Sequence, residues 1–297
     1  MTLALTRAFP LTAASNSITD IMTALITHFT AAPGLWEMNG VTPVAGAAFA
    51  IREKLTPASH IAIRRTTTTG FAVKVAPGLD ITSVGSATVA ATGGVECSPE
   101  CAFTMSGTSP RFIVIEHSRA ITILFLDTGL THTPQGIHAG RCFTPARAND
   151  ATFGMTGHAC LVGVISSSAG SGRWFSTSAS FTTSRVKTPG VGAWAFPSLE
   201  HGVETTPQSY SSTPTVSNFR SVRPLPVLAR AVAGGSDNLF VGLTDYFGSA
   251  PFITSVLPAS QPLSRLESSL TESWLYVKST AGTTGLVFNW ERTISPT

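Results

Sequence analysis

Charge is what this sequence has least of. Asp, Glu, Lys and Arg make up 12% of its 297 residues, about half of the ~25% usual for soluble domains. The polar surface must therefore come from Thr, Ser, Asn and Gln, and the β-branched Thr favours extended structure. With 43% hydrophobic residues and a net charge of only +3, few like charges hold copies of the chain apart. Burying surface against other subunits is the natural escape from precipitation. This is the first sign of an assembly component.

Basic runs are missing as well. The densest basic pair is Arg64–Arg65 in "IRR", in an alternating apolar context that puts Arg65 on an exposed strand face. Direct nucleic-acid binding leaves a basic stripe, so no nucleic-acid partner is expected. No stretch reaches the ~20 apolar residues of a membrane span. The nearest, residues 112–127, is interrupted by Glu116, His117 and Arg119. The opening "MTLALTRAFPLTAAS" carries Arg7 in its middle, where an export signal needs an unbroken apolar core. The expectation is a chain that is neither exported by a signal peptide nor held in a membrane. Only 4 cysteines are present, which do not make a disulfide framework at this length. No fixed repeat period occurs either, which argues against a solenoid or propeller.

Catalytic signatures are absent in turn. There is no G-x-S-x-G elbow, H-E-x-x-H, P-loop or G-x-G-x-x-G. The one suggestive stretch is "HAGRCFTPARANDATFGMTGHAC", which holds His138, Cys142, His158 and Cys160. These are the residue types of a zinc site. Their spacing is unsuitable, however: on a strand, His158 and Cys160 would point to one face about 7 Å apart, and compact sites usually begin with a C-x2-C knuckle. "CSPEC" places Cys97 and Cys101 in a tight turn that a disulfide or a metal could use. Buried or incidental thiols are the expectation at all four cysteines, with Cys142 and Cys160 reduced. His158 beside Cys160 is no stronger as a nucleophilic pair without a geometric context. Glycoside cleavage needs two facing carboxylates, and Glu53, Glu116, Asp127 and Glu291 show no such pairing. Each is expected to be solvated or paired with a neighbouring Arg. The stretch 138–160 thus reads as a loop entering a strand, with Gly140, Gly154 and Gly157 supplying turn geometry. No catalytic residue, metal ligand or cofactor is assigned.

What is present is β pattern and one helix. Residues 16–31 begin with Asn16 or Ser17 as N-cap, with Asp20 in the first turn where it suits the helix dipole. Ile18, Ile21, Met22, Leu25, Ile26 and Phe29 form one apolar face, and Pro33 and Gly34 end the segment. Residues 48–53, 60–65 and 71–76 alternate as half-buried antiparallel strands should, and 86–91 continues the series. Residues 111–117 and the run from Ala120 are more apolar, as central strands are, with His117, Ser118 and Arg119 connecting them. Further strands are expected at 159–166, 172–181, 191–196, 238–243, 250–257, 273–279 and 284–291. The Ser/Thr/Pro-rich segment at about 205–228, with Tyr210, Phe219 and Val222, reads as an ordered arm crossing the surface. Residues 262–273 are the nearest rival for a second helix. Short strands with regular turn signals point to an all-β antiparallel sandwich or barrel-like body over 36–297, with residues 1–35 as a strand–helix docking segment. That segment is expected to attach to another subunit through its strand edge and apolar face, with packing on its own body as the alternative. Among Trp36, Trp174, Trp194, Trp274 and Trp290, those at 174, 194 and 290 fall among small strand residues and suit core or interface packing.

The opening "MTLALTRAFPLTAASNSITDIMTALITHF…PGLWEM" and the closing "SWLYVKSTAGTTGLVFNWE", with the Thr/Ser/Gly-rich, charge-poor body between them, resemble virion structural proteins of tailed bacteriophages. The resemblance implies a non-enzymatic protein in many copies in the tail, neck or baseplate, or associated with the capsid. Its partners would be copies of itself and other virion proteins, and it would be made in the host cytoplasm. A receptor-binding adhesin of the same particle, taking a host surface glycan, is the alternative. A Cys/His or metal-dependent hydrolase is the third reading.

Overall fold

In the computed structural model of the chain, the described residues are 3–54, 59–77, 81–92, 97–105, 110–125, 135–142, 157–165, 174–176, 184–187, 194–195, 197–198, 223–230, 238–251, 263–269, 272–278 and 284–294. The chain opens with β1 (Leu3–Thr12) and α1 (Ile18–Ala31). Ser17 caps the helix, its hydroxyl accepting from the Asp20 N–H at 3.2 Å, as a residue in extended conformation before the first turn can do. The expected apolar face is buried at Ile18, Ile21, Met22, Leu25 and Phe29, with Ile26 partly buried. The helix stops at Ala32, which turns left-handed (φ 46°) and donates its N–H to His28 O. The Lys54 ammonium binds the Ala32 and Gly34 carbonyls, a cation at the negative end of the helix dipole.

A small antiparallel sheet follows, of β2 (Trp36–Met38), β3 (Ala48–Glu53), β4 (Ser59–Arg65), β5 (Gly70–Pro77) and, after a hairpin of β6 (Ile81–Val84) and β7 (Val89–Ala91), β8 (Cys101–Thr104). Its order is β2-β3-β4-β5-β8. The large sheet takes β9 (Arg111–His117), β10 (Ala120–Phe125), β11 (Gln135–Cys142), β12 (Gly157–Ile165), β13 (Trp174–Ser176), β14 (Arg185–Lys187) and β15 (Trp194–Ala195). It continues with β16 (Pro197–Ser198), β17 (Arg223–Arg230), β18 (Asn238–Pro251), β19 (Leu263–Ser269), β20 (Glu272–Lys278) and β21 (Thr284–Ile294). With β1 this makes a 14-stranded sheet among the described residues, whose main path runs β15-β14-β12-β11-β10-β9-β1-β21-β18-β17-β16. The body is mostly β, antiparallel and sandwich-like, with one helix among the described residues. Phe49, Ile61, Phe71 and Val73 of the small sheet and Phe112, Val114, Ile123 and Phe125 of the large one belong to a single core, with the α1 face in it. Phe71 and Phe125 stack across it at 5.2 Å.

Several expectations are corrected here. The alternating strands β3 to β5 are not half-buried: their second face is covered too. Ala50, Ala62 and Ala76 there are small enough to pack against Ile81 and Cys97, with Val84, Val89 and Ala91 around them. By contrast, the nearest rival for a second helix, 262–273, is strand over Leu263–Ser269, paired along β20, in keeping with a single helix. The arm at about 205–228 ends in strand β17 from Arg223 onward, and residues 199–222 lie outside the described residues.

Within residues 1–35, expected to attach to another subunit, the apolar face of α1 is buried in the core of its own chain. β1 lies between β21 and β9, pairing Arg7 with Glu291 on one side and with Glu116 on the other. Pro10, which has no N–H for a ladder, falls beyond the last β21 pair, where, among the described residues, β1 has only β9 beside it.

Candidate functional site

The register of β11 and β12 decides the zinc question for the described groups. Ala139 pairs with Cys160 and Arg141 with His158, whereas His138 pairs with Leu161. Side chains alternate between faces along a strand. Arg141, His158 and Cys160 reach the small sheet at Glu53, Ser59 and Val73, and His138 lies on the opposite face. Cys142 ends β11 opposite Gly157, and its side chain lies outside the described residues. Cys97 and Cys101 separate as well: Cys97 sits in the alanine-rich cluster outside the small sheet and Cys101 in the main core. Among the described residues no group of three or more His, Cys, Asp or Glu side chains converges as a metal site would require. Of the stretch expected as a loop entering a strand, both described parts are strand, 138–142 in β11 and 157–160 in β12, with residues 143–156 outside the described residues; Gly140 (φ 134°) is needed for close approach. A Cβ there would meet Arg119 O at 2.5 Å.

Three buried polar constellations stand in place of a ligand cluster. In the first, Glu53 of β3 receives Arg141 of β11 through both carboxylate oxygens, Nε at 3.0 Å and Nη2 on the other. Such a two-pronged pair fixes orientation between planar groups, and here it ties one sheet to the other. Burial pushes the Glu53 carboxyl up from its usual value, and the Arg141 guanidinium works against that. Beside it, Ser59 Oγ lies 3.4 Å from His158 Nε2. Burial, reinforced by the Arg141 and Lys187 charges, pushes His158 down to about 3, so this imidazole is neutral near pH 7.

The second constellation centres on Glu116 of β9, which is 0% exposed. Its carboxylate accepts from His28 Nε2 at 2.7 Å, from the Trp36 N–H at 2.9 Å and from the Leu35 N–H. Trp36 Nε1–H donates to His117 O at 2.8 Å. One acid thus holds the end of α1, the following turn and the start of β2. Gly34 makes room for it, since a Cβ there would lie 2.1 Å from Glu116 Oε2.

The third runs across four strands of the large sheet. Thr6 Oγ1 meets His117 Nδ1 at 3.3 Å, His117 Nε2 meets Thr122 Oγ1 at 3.0 Å, and Thr122 Oγ1 meets His138 Nδ1 at 2.9 Å. Burial pushes His138 down to about 3; His117 is lowered well below its usual value by burial and then by His138. Both rings are therefore neutral, and each nitrogen either donates or accepts. Thr122 has one proton, so it donates to at most one ring and accepts from at least one of them. The two tautomers are coupled through it.

The residues singled out from the sequence therefore divide. Glu53 is paired with an Arg, but one 88 residues away. Glu116 is buried and, among the described residues, is bound by His28 and two backbone N–H groups in place of an Arg. Asp127 lies outside the described residues, as do the side chains of Glu291, Trp174, Trp274 and Trp290. Trp36 is sealed in the core and Trp194 packs partly buried against it. Ser59, Arg141, Thr6, Thr122 and His28 were missed by sequence reasoning, because each is defined by a partner on another element, far away in sequence for all but Thr122. Chemically, Ser59 and His158 do not make an activated nucleophile: the hydroxyl is fully buried, and among the described residues nothing holds His158 Nδ1 as a triad acid holds its histidine. No protein-family model matches the chain, and no curated protein matches it.

Proposed function

We propose that this chain is a non-enzymatic structural protein of a viral particle, present in many copies and held by subunit contacts. The particle is a tailed bacteriophage and the place is its tail, neck or baseplate, or a position on the capsid. The observation that carries the reading is the use made of the buried and partly buried polar side chains. Glu53, Glu116, His28, His117, His138 and Arg141 each bind another element of the fold, so groups capable of chemistry serve as ties between sheets and helix.

Two further features support it. The opening strand and the closing hairpin, which carry the resemblance, are neighbours: β1 pairs with β21, and β21 with β20. A surface poor in charge lowers the cost of burial against like subunits. The partners are copies of the chain itself and other virion proteins, assembled after synthesis in the host cytoplasm. Native mass spectrometry over a concentration series tests this. A closed symmetric homo-oligomer is expected; a monomer at every concentration is the contrary result.

A further inference from the structure

The buried cysteines take no part in the three polar constellations. Cys101 of β8 and Cys160 of β12 stand on opposite sheets, both 0% exposed, in the one core between them. Val73 lies beside both. It is the register partner of Cys101, and the Cys160 thiol donates to Val73 O at 3.7 Å, while the Cys101 thiol donates to Pro99 O at 3.7 Å. Cys97, nearer in sequence, is on the far side of the small sheet. Neither thiol is in a disulfide.

We propose that Cys101 and Cys160 are a latent cross-link between the sheets, a dithiol in reducing surroundings that closes to a disulfide when a small-molecule disulfide oxidises it. In the first step one cysteine thiolate attacks the small disulfide, forming a mixed disulfide and releasing one small thiol. The second cysteine then displaces the other, so the S–S bond of the oxidant breaks and that of the protein forms. Two protons and two electrons pass from the cysteines to two molecules of small thiol. To close, the two thiols leave their carbonyl hydrogen bonds to Pro99 and Val73, and the sulfurs must come to about 2.05 Å. Burial pushes the Cys160 thiol up, so thiolate is scarce and closure is slow in the folded state. This cross-link does not depend on the particle reading, although a particle leaving a reducing cytoplasm meets oxidising surroundings.

The test uses the full chain incubated with oxidised glutathione, blocked with iodoacetamide under denaturing conditions, then analysed by intact mass and non-reducing peptide mapping. Cys97→Ser, Cys101→Ser and Cys160→Ser are treated in parallel. Wild type and Cys97→Ser should lose two hydrogens and show the 101 and 160 peptides linked, while the other two variants do not. The linked form should unfold at a midpoint raised by roughly 5 °C or more, as expected for a bond closing a long loop. If a serine variant fails to fold, the peptide map of the wild type decides alone. A link between any other pair, a glutathione adduct that persists without a link, or Cys101 and Cys160 both still free after prolonged oxidation in mild urea would overturn the proposal.

Discussion

Acidification should destabilise this protein steeply, and the buried histidines set the size of the effect. His138 and His158 are held at about 3 in the folded chain, against an ordinary 6.5. Below about pH 6.5 the unfolded chain therefore binds protons that the folded chain does not, and stability falls as the pH drops from there to about 3. Each such histidine contributes about 1.4 kcal/mol per pH unit inside that window. At pH 5 the loss is about 2 kcal/mol each and about 4 kcal/mol for the two, a large part of the ~5–15 kcal/mol that holds a typical domain. His117 is lowered as well and adds in the same direction. Glu53 acts the other way: its raised carboxyl keeps a proton that the unfolded chain releases above 4.5, so it gains stability as the pH falls through its own range. Urea unfolding followed by tryptophan fluorescence at about pH 7 and about pH 5 measures the net slope. His138→Gln should flatten it by about 2 kcal/mol over that interval. Equal stability at both pH values, or an unchanged slope in His138→Gln, would refute the placement of these rings in a dry interior.

Three other expectations follow from the same contacts. Glu116→Ala orphans two backbone N–H groups and His28, and should cost about 3–5 kcal/mol by chemical denaturation, as removal of one member of a buried pair does. Arg141→Met should cost a similar ~3–5 kcal/mol by leaving Glu53 buried alone, and adding Glu53→Met should recover most of it in a double-mutant cycle. Deletion of residues 1–35 removes β1 from between β9 and β21 and strips Ile21, Leu25 and Phe29 from the core. Circular dichroism should then show an unfolded or aggregated product; a soluble, folded β body would mean that the segment belongs to a neighbouring subunit.

How far the sequence could be read depends on whether a residue's environment is local. The N-cap at Ser17 and the face of α1 rest on neighbours three and four positions away, and they were legible. So was β3, whose bounds at Ala48 and Glu53 match the alternating stretch. The second face of the small sheet was not, because alanines read as neutral until the β6–β7 hairpin lies over them. Leu263, Leu266 and Leu270 fit a helical face as spacing, yet Leu263–Ser269 is a strand, since pairing with β20 overrides local preference. The polar ties were hidden for a different reason. Thr6 and His117 are 111 residues apart, and His28 and Glu116 are 88 apart, so their pairing follows from sheet order. The clustering of His138, His158 and Cys160 in sequence misleads because the register of β11 on β12 sets His138 on the face opposite the other two.

The central claim, that this chain builds a particle, is tested most directly by electron cryomicroscopy of purified phage particles whose protein content is verified by mass spectrometry. The account predicts density matching the sandwich and its single described helix at symmetry-related positions, with subunit contacts between copies. Particles that are complete and infectious without this chain, while the chain remains in the host cytoplasm, would contradict it.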